Sequence, residues 1–287
     1  MPKTTARSIT AEIRRFMESP ANTMKNTDDE PAWAAPLVGL SSAADPLYVF
    51  YREDIGDFFQ PPVAFLAHKY PDRTFDPERA TVVSWILPQT EATKRDHRAE
   101  KFFPSERWAR TRIFGEEVNV ALRRHLEAFF DARGIAASAP QISPLWELKL
   151  SEKYGYASVW SERHAAHAAG LGTFGLSDGL ITPAGKAHRA GSVVIDLPLK
   201  PSKRPYDTHT AYCLFHKKGT CGKCMERCPI GAITKKGHDK TLCSSYVDMT
   251  VEYVPRHYHF DGYGCGFCQT GIPCESAIPK GLRPKGG

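Results

Sequence analysis

The chain has 287 residues, enough for one large domain or two of ordinary size, and its 41% hydrophobic and 24% charged residues are typical of globular proteins. No apolar run approaches the ~20 residues that a membrane-spanning helix needs, so a transmembrane protein is excluded. The net charge of +6 comes from residues 201–287, which hold 13 Lys or Arg and 7 Asp or Glu, and the first 200 residues are balanced.

The first predicted element is a short helix capped by Ser8. Its apolar residues recur at helical spacing and form one stripe: Ile9, Ile13, Phe16 and Met17. The pair Arg14-Arg15 suggests a twin-arginine export signal, but no apolar stretch follows it. We therefore predict a cytoplasmic protein.

The next hundred residues predict strands and loops. Residues 19–46 are rich in Pro, Ala, Asn and Asp, which indicates a long surface connection. Two short apolar runs, 47–51 and 63–66, have the length of strands or buried segments, and the aromatic residues of the first favour a strand. Residues 80–87, β-branched and closed by Pro88, predict the clearest strand of the first half.

Helices and strands then mix without a regular alternation. A long helix is predicted between a Ser105 cap and Gly134, after a charged loop at 91–101. The remaining elements are a helix at 162–169, stopped by Gly170, and strands at 180–182 and 192–197. This order predicts an α+β fold rather than a doubly wound sheet.

A glycine loop follows the helix at 162–169. Gly170, Gly172 and Gly175 match the G-x-G-x-x-G pattern of dinucleotide sites, but that pattern needs a strand before it and a helix after it. Here the order is reversed, which argues against NAD or flavin. The glycines either let backbone approach a flat cofactor or form a helix cap and a turn. His164 and His167, one turn apart, have metal-ligand spacing, although a core or surface role is favoured.

All eight cysteines lie between residues 213 and 274. Three of them, Cys221, Cys224 and Cys228 followed by Pro229, reproduce most of the bacterial ferredoxin pattern, in which the last cysteine crosses to a second cluster. Crossing divides the thiols into two sets of four, which predicts two [4Fe-4S] clusters. The first set is Cys213, Cys221, Cys224 and Cys274, and the second is Cys228, Cys243, Cys265 and Cys268.

Two alternatives to iron–sulfur clusters remain open. Cys221-x2-Cys224 and Cys265-x2-Cys268 alone resemble a zinc ribbon, which would leave four cysteines and the Cys-Pro pair unexplained. A disulfide framework would require an oxidising compartment, which nothing in the sequence indicates. Two oxidised clusters with their thiolates add a charge of about −4, which offsets most of the basic excess around them. The charge is therefore poor evidence for nucleic acid binding.

The second half of the chain resembles the cobalamin-dependent iron–sulfur reductases. Glu162-Arg163 through Gly172 looks like the helix and loop of that superfamily. Residues 179–183 and 194–199 are similar to reductive dehalogenases, and Cys243 to Tyr246 and residues 263–269 are similar to epoxyqueuosine reductases.

The resemblance implies two domains. Residues 1–200 would form a nitroreductase-like cobalamin domain, and residues 201–287 a ferredoxin-like domain with two [4Fe-4S] clusters. Base-off cobalamin would lie against the glycine loop and its surroundings: Gly170, Leu171, Gly172, Thr173, Phe174, Gly175, Ser177 and Ile181. A ferredoxin or flavodoxin would supply electrons, which would pass through the clusters to cobalt.

The resemblance also implies a proton donor. The acid that epoxyqueuosine reductases use falls on Tyr156, a residue type that dehalogenases use for this purpose, and Arg189 is expected to stabilise its phenolate. Leu176 replaces the lysine of epoxyqueuosine reductases, and Glu275 replaces the proline after the last cysteine. The sequence also lacks the helical-repeat extension that grips tRNA, so tRNA is expected to be an unlikely partner.

We therefore predict a reductase that cleaves a carbon–halogen or carbon–oxygen bond in a small organic substrate. The alternatives are an electron-transfer ferredoxin, a corrinoid-handling protein without its own substrate, and an epoxyqueuosine reductase acting on tRNA.

Overall fold

The computed structural model describes residues 4–284. Its α-helices are α1 (Ala6–Met17), α2 (Pro46–Ile55), α3 (Pro62–Lys69), α4 (Glu91–Ala99), α5 (Glu106–Asp131), α6 (Glu162–Ala168), α7 (Leu214–Lys218), α8 (Lys223–Arg227) and α9 (Lys240–Tyr258). Its strands are β1 (Leu37–Ser42), β2 (Thr81–Pro88), β3 (Ala137–Ser138), β4 (Leu148–Ser151), β5 (Gly155–Ser158), β6 (Thr173–Phe174), β7 (Leu180–Ile181), β8 (His188–Ile195), β9 (Ile233–Thr234) and β10 (Gly237–His238). Single-turn 3-10 helices cover Pro77–Arg79, Pro140–Ile142 and Phe267–Gln269.

A four-stranded antiparallel sheet in the order β1-β2-β8-β3 forms the centre of the fold. Every residue of β2 is buried, because both faces of the sheet are covered. Val83 and Trp85 point to a core shared with α1 and α5, and Val82 points to a second core shared with α2, α3 and α6. The indole of Trp85 covers Gly191 on β8 and donates to Asn119 Oδ1 at 2.9 Å. This two-sided core fits the predicted mixed fold, and the antiparallel order agrees with the α+β class.

The cysteine-bearing part has little regular structure apart from α9, since α7 and α8 have five residues each and β9 and β10 two each. Contacts with α4 and α5 fix its position. Arg227 donates to the backbone carbonyls of Glu100, at 2.9 Å, and of His97 and Thr270, at 3.2 Å. A side chain at Gly266, where φ is +125°, would collide with the Trp108 indole.

The boundary predicted at residue 200 is therefore crossed by direct contacts, and its two-domain division stays a prediction. Residues 1–3 and 285–287 of that division lie outside the described range.

The strand favoured at residues 47–51 is wrong, and of the two alternatives left open for residues 63–66, a strand or a buried segment, the structure shows a buried helical segment. Residues 47–51 belong to α2, because Asp45 caps the helix and Pro46 occupies its first turn. Their aromatic residues serve helical packing, since Tyr48, Tyr51 and Ile55 fall on one buried face. The run at 63–66 belongs to α3, which also begins with a proline. In these segments, helix-start signals outweigh the strand propensity of single aromatic residues.

Other boundary predictions need smaller corrections. Thr5, not Ser8, caps α1, and Ser8 occupies the third helical position of a capping box. The connection predicted at 19–46 contains β1, an edge strand of the sheet. The helix between Ser105 and Gly134 is confirmed, with Ser105 as its cap, and so is the strand at 80–87. Within residues 4–284, no helix combines the length and apolar character needed to cross a bilayer.

Candidate active site

A cavity of about 880 Å³ opens between the sheet-bearing part of the chain and the cysteine-bearing part. Its walls come from α2, the β4–β5 hairpin, α6, the glycine loop, the start of α9 and two segments around residues 207–210 and 235–237. Its volume lies in the upper range of pockets that hold cofactors or substrates of moderate size.

The β4–β5 hairpin forms one wall and is tied down on two sides. Asp54 of α2 forms an ion pair with Lys153 and accepts a hydrogen bond of 2.7 Å from the hydroxyl of Tyr154. Burial opposes ionisation of Asp54, but these hydrogen bonds outweigh it and lower the pKa of the carboxyl group. On the other side, Lys240 of α9 donates to the carbonyl oxygen of Tyr156 at 2.8 Å. The hairpin therefore links both parts of the chain across the cavity.

Tyr156 lies on this hairpin, lines the cavity and is 51% exposed. Within residues 4–284, its hydroxyl has no hydrogen-bond partner, so it is free to meet a bound molecule. Arg189 lies elsewhere, because its Nε donates to Glu116 Oε2 at 2.7 Å and it is not part of the cavity wall. The contact with Glu116 does not support a pairing of Arg189 with the Tyr156 phenolate, and that role stays a prediction. Lys240 is the cation that contacts the hairpin at Tyr156.

The glycine loop contributes Phe174 and Gly175 to the cavity wall. Gly170, with φ of +79°, lies against the backbone of Lys203, and a side chain at Gly172 would collide with the carbonyl oxygen of Ile181. These two glycines therefore permit close packing of the chain on itself. A bulky residue at Gly172 would disturb the fold rather than obstruct a cofactor directly. The other predicted cofactor residues are buried outside the cavity wall: Leu171, Thr173, Ser177 and Ile181.

Four histidines line the cavity: His164, His167, His209 and His216. Burial lowers the pKa of His164 to about 3 and that of His167 to about 4, so both rings are neutral near pH 7. His164 Nδ1 is 2.8 Å from the Ser161 hydroxyl, and His167 Nδ1 is 2.7 Å from the Tyr51 hydroxyl. His167 Nε2 is buried without a partner in the described range. These contacts fit the predicted core role of the pair at 164 and 167.

The cavity is rich in positive charge. Its wall holds Lys153, Arg163, Arg204, Lys235, Lys236 and Lys240, against Asp54, Asp178 and Asp207. Arg163 donates to the carbonyl oxygen of Asp178 at 2.6 Å, and burial lowers the pKa of its guanidinium. Arg163 is exposed and is part of the cavity wall. The site is therefore suited to an anionic molecule. Sequence analysis missed these cations, since they are scattered along the chain.

The eight cysteines lie in one connected region below the glycine loop. Leu176 and Ile181 share an apolar cluster with Cys213, and Cys224, Cys228, Cys268 and Cys274 pack against it. Several thiols therefore adjoin the loop whose next residues line the cavity.

The electrostatics of the thiols show which of them are neighbours. Burial raises the pKa of Cys274 to about 12, and Cys213, Cys224 and Cys221 add to this rise. Burial likewise raises the pKa of Cys243 to about 11, with contributions from Cys268 and Cys228. These neighbours belong to the sets predicted from spacing.

The charge of Cys268 also acts on Cys224, so the two sets lie next to each other. The assignment of individual cysteines to each cluster stays a prediction. Within the described residues, no group of three or more His, Cys, Asp or Glu side chains converges as ligands of a single metal ion would. The gathered thiols are soft sulfur donors, the ligand type that iron–sulfur clusters use.

The comparisons with known proteins identify reductases. No protein-family model matches the chain. The epoxyqueuosine reductase of Staphylococcus aureus is 28% identical over 171 residues, which cover 58% of this chain and 40% of that protein. The enzyme of the same name from Bacillus cereus is 30% identical over 131 residues, which cover 44% and 32%. The chain thus spans less than half the length of these curated relatives.

Solved structures show the same fold. A reductive dehalogenase, described with a mechanism for B12-dependent dehalogenation, matches with a TM-score of 0.50 and 16% identity over 96% of this chain and 37% of that chain. An epoxyqueuosine reductase solved with an epoxyqueuosine-modified tRNA-Tyr stem loop has a TM-score of 0.48 and 18% identity, covering 97% and 68%.

These relatives bear on the predicted substrate. Their name agrees better with the epoxyqueuosine alternative than with the main prediction of a small organic substrate. The name of these relatives also does not favour the expectation that tRNA is an unlikely partner.

Proposed function

We propose that this chain, a relative of the epoxyqueuosine reductases that shares its fold with the reductive dehalogenases, is a corrinoid- and iron–sulfur-dependent reductase. The observation that carries the proposal is the position of the cavity. It has the glycine loop on one side, and its wall includes Thr210 and His216, which flank Cys213 in sequence. A cofactor in this cavity would lie next to the thiols.

The cysteines are proposed to hold two [4Fe-4S] clusters. The first would use Cys213, Cys221, Cys224 and Cys274, and the second Cys228, Cys243, Cys265 and Cys268. Anaerobically reconstituted protein should contain about eight iron and eight acid-labile sulfide per chain. Cys274→Ala should damage the first cluster and leave the second, as seen by paramagnetic resonance of the reduced protein. Stoichiometric zinc without sulfide would contradict the cluster proposal, and selective loss of the second cluster would contradict the crossing.

The cavity residues fit a large, flat, partly anionic cofactor. Gly175 presents a wall without a side chain, Phe174 and Tyr206 present aromatic surface, and the surplus of cations suits a phosphate group. Bound there, a corrinoid would supply low-potential electrons at its metal. Two of the residues that would hold it, His164 and His167, would present neutral imidazoles, since burial lowers the pKa of both rings well below 7.

We propose an epoxide as the first candidate substrate, because the curated relatives are epoxyqueuosine reductases. Reduction of an epoxide to an alkene consumes two electrons and two protons and releases water. The chain would bind the anionic substrate through Lys235 and Lys236, which have no carboxylate partner within residues 4–284, and Tyr156 would donate a proton from its free hydroxyl.

A small halogenated aromatic compound is the second candidate. The observation that favours it is the tyrosine at the cavity wall, the residue type that the resemblance assigns to dehalogenases. Cleavage of the carbon–halogen bond consumes two electrons and one proton and releases halide.

One experiment separates the candidates. Protein loaded with corrinoid and clusters is incubated anaerobically with a one-electron donor and, in parallel, with an epoxyqueuosine-containing tRNA stem loop, the free nucleoside and a halogenated phenol. Mass spectrometry should show loss of one oxygen from the stem loop or nucleoside. Loss of halide alone would favour the second candidate. Loading of iron and corrinoid without turnover of any compound would favour a corrinoid-handling role, and iron without corrinoid would favour a ferredoxin role.

A further inference from the structure

Lys186 is a buried lysine without an acidic partner. Its side chain is 3% exposed, and its ammonium group donates a hydrogen bond to the hydroxyl of Ser177. Within residues 4–284 it forms no ion pair, although most buried ammonium groups in proteins are paired. A side chain at Gly179 would collide with the Lys186 methylene groups, so the lysine fills its space completely. The position therefore requires an anion that the polypeptide alone does not provide.

The backbone of Lys186 is attached to the segment that carries Cys274. Its amide donates to the carbonyl oxygens of Cys274 at 2.8 Å and Glu275 at 3.0 Å. The preceding Gly185 has φ of +85°, and any side chain there would collide with the backbone of Glu275. These contacts therefore fix the position of Lys186 relative to the segment that carries Cys274.

Lys186 is also the cation that acts on the thiols of the first predicted set. Lys186 is the positive charge that lies close enough to Cys274 and Cys224 to act on both of them. On the other side, Ser177 lies between Leu176 and Asp178, which both line the cavity. Lys186 therefore contacts, through Ser177, a segment that contributes to the cavity wall and, through its amide, the segment that carries Cys274.

We propose that Lys186 compensates the charge of the cluster bound by the first cysteine set and stabilises its reduced state. The proposal rests on the iron–sulfur part of the proposed function. An oxidised [4Fe-4S] core with four thiolates carries about −2, and one electron from a low-potential donor makes it about −3. A fixed buried cation attracts the second state more strongly than the first, which makes reduction easier.

The test is a redox titration of the anaerobically reconstituted full chain, with dithionite as the electron donor, monitored by paramagnetic resonance. Neither corrinoid nor substrate is present, so a failure of reductase activity does not affect the result. In Lys186→Met, the ratio of reduced to oxidised first cluster at the wild-type midpoint should fall ~10-fold, which corresponds to about 59 mV for one electron. The second cluster should keep its wild-type ratio.

Lys94→Met is the matched control. Lys94 is also buried and donates to Ser276 Oγ at 2.9 Å, but Glu91 at 3.0 Å already neutralises it. Lys94→Met should leave the ratio of reduced to oxidised cluster within ~2-fold of the wild-type ratio for both clusters. Lys186→Arg, which retains the charge, should also stay close to wild type. Unchanged ratios in Lys186→Met, or an equal change in Lys94→Met, would overturn the proposal.

Iron content resolves the case in which Lys186→Met does not assemble. Retention of about eight iron by Lys186→Arg but not by Lys186→Met or Lys186→Gln would show that the charge is required. Loss of iron from Lys186→Arg as well would show that the site requires the shape of lysine, and would overturn the proposal. Absence of iron from the wild-type chain would instead overturn the cluster part of the proposed function.

Discussion

The first 200 residues and the cysteine-bearing segment are held together by different means. The first part surrounds a four-stranded sheet with two clusters of fully buried apolar side chains, among them Phe65, Trp85 and Phe130. In the second part, α7 and α8 have five residues each and contain no buried residue. Helices and strands of that length are not stable by themselves. The first part therefore depends on its core, whereas the second is expected to depend on what its cysteines bind.

The cavity lies where these two kinds of structure meet. Its rigid wall comes from α6 and the glycine loop, and its other wall comes from short segments such as residues 235–237. With the proposed clusters bound, such a site would join a stable binding surface to a metal-dependent one. Removal of metal should therefore change the cavity without unfolding the sheet.

The largest expected effect is that of iron removal. Chelation under anaerobic conditions should accelerate amide hydrogen exchange in α7 and α8 by ~100-fold or more, because ligand bonds replace a core there. Exchange in β2 and β8 should change by less than ~3-fold. Mass spectrometry of exchanged peptides measures both regions in one sample. Equal protection of the α7 and α8 amides against exchange, with and without iron, would contradict the proposed difference between the two parts of the chain.

A substitution in the apolar core should affect the sheet rather than α7 and α8. Trp85→Ala deletes a fully buried indole and its hydrogen bond to Asn119, and should lower the free energy of unfolding of the sheet by ~3–5 kcal/mol. Val49→Ala, at a position 63% exposed on α2, should change it by less than ~0.5 kcal/mol. Denaturant unfolding followed by far-ultraviolet circular dichroism gives both values. A loss below ~1 kcal/mol for Trp85→Ala would show that the sheet is not the stable part.

Tyr156→Phe tests whether the hairpin that joins the two parts takes part in the reaction. The substitution keeps the ring and removes the hydroxyl, so turnover should fall by ~10²-fold or more if this group donates a proton. Corrinoid affinity and iron content should stay at wild-type values, because the ring is retained and the hydroxyl has no hydrogen-bond partner within residues 4–284. Turnover assays with a reductant that reduces the corrinoid provide the measurement. Unchanged turnover would assign Tyr156 to the cavity lining alone.

The expected effect that is smallest near neutral pH is a pH dependence of stability. Burial lowers the pKa of His97 to about 3, well below ~6.5 in the unfolded chain, where the ring is free to take up a proton. The unfolded state therefore binds more protons than the folded state between about pH 6.5 and 3. The free energy of unfolding should fall as pH decreases through this window, by ~1.4 kcal/mol per pH unit for one such histidine. Above about pH 6.5, His97 should contribute nothing to the pH dependence.

The variant His97→Gln should reduce the slope of stability against pH by about one proton, whatever its effect on stability at pH 7. His68→Gln, at an exposed position on α3, should leave the slope unchanged. Urea unfolding at several pH values between 4 and 7 provides the slopes. An unaltered slope in His97→Gln would show that another group causes the pH dependence.

Local sequence signals were sufficient where one element decides its own structure. Ser105 and Gly134 bound the long helix correctly, because a cap and a glycine turn act within a few residues. The same signals decided α2, where Asp45 and Pro46 outweighed the strand propensity of neighbouring aromatic residues. The cysteine spacing likewise predicts its own chemistry, since soft ligands at ferredoxin intervals have few uses, and the two clusters stay a prediction.

Long-range placement was not predictable from the sequence. Arg189 is bound by Glu116, a contact between residues 73 positions apart, and no local pattern indicates it. Lys240 meets the backbone of Tyr156 across 84 positions for the same reason. Gly172 was interpreted as a surface for a cofactor, whereas the carbonyl oxygen of Ile181 occupies that space. Glycine indicates close approach but not the identity of the approaching group.

Corrinoid binding tests the central claim most directly. Anaerobic protein is titrated with cob(II)alamin, and paramagnetic resonance distinguishes base-off from base-on cofactor. We predict one bound equivalent per chain in the base-off form. Gly175→Trp, which places an indole in the cavity wall, should weaken binding by ~10-fold or more, whereas Leu148→Trp, on the exposed face of the hairpin, should not. Absence of corrinoid binding, or tight binding of NADH in its place, would contradict the account.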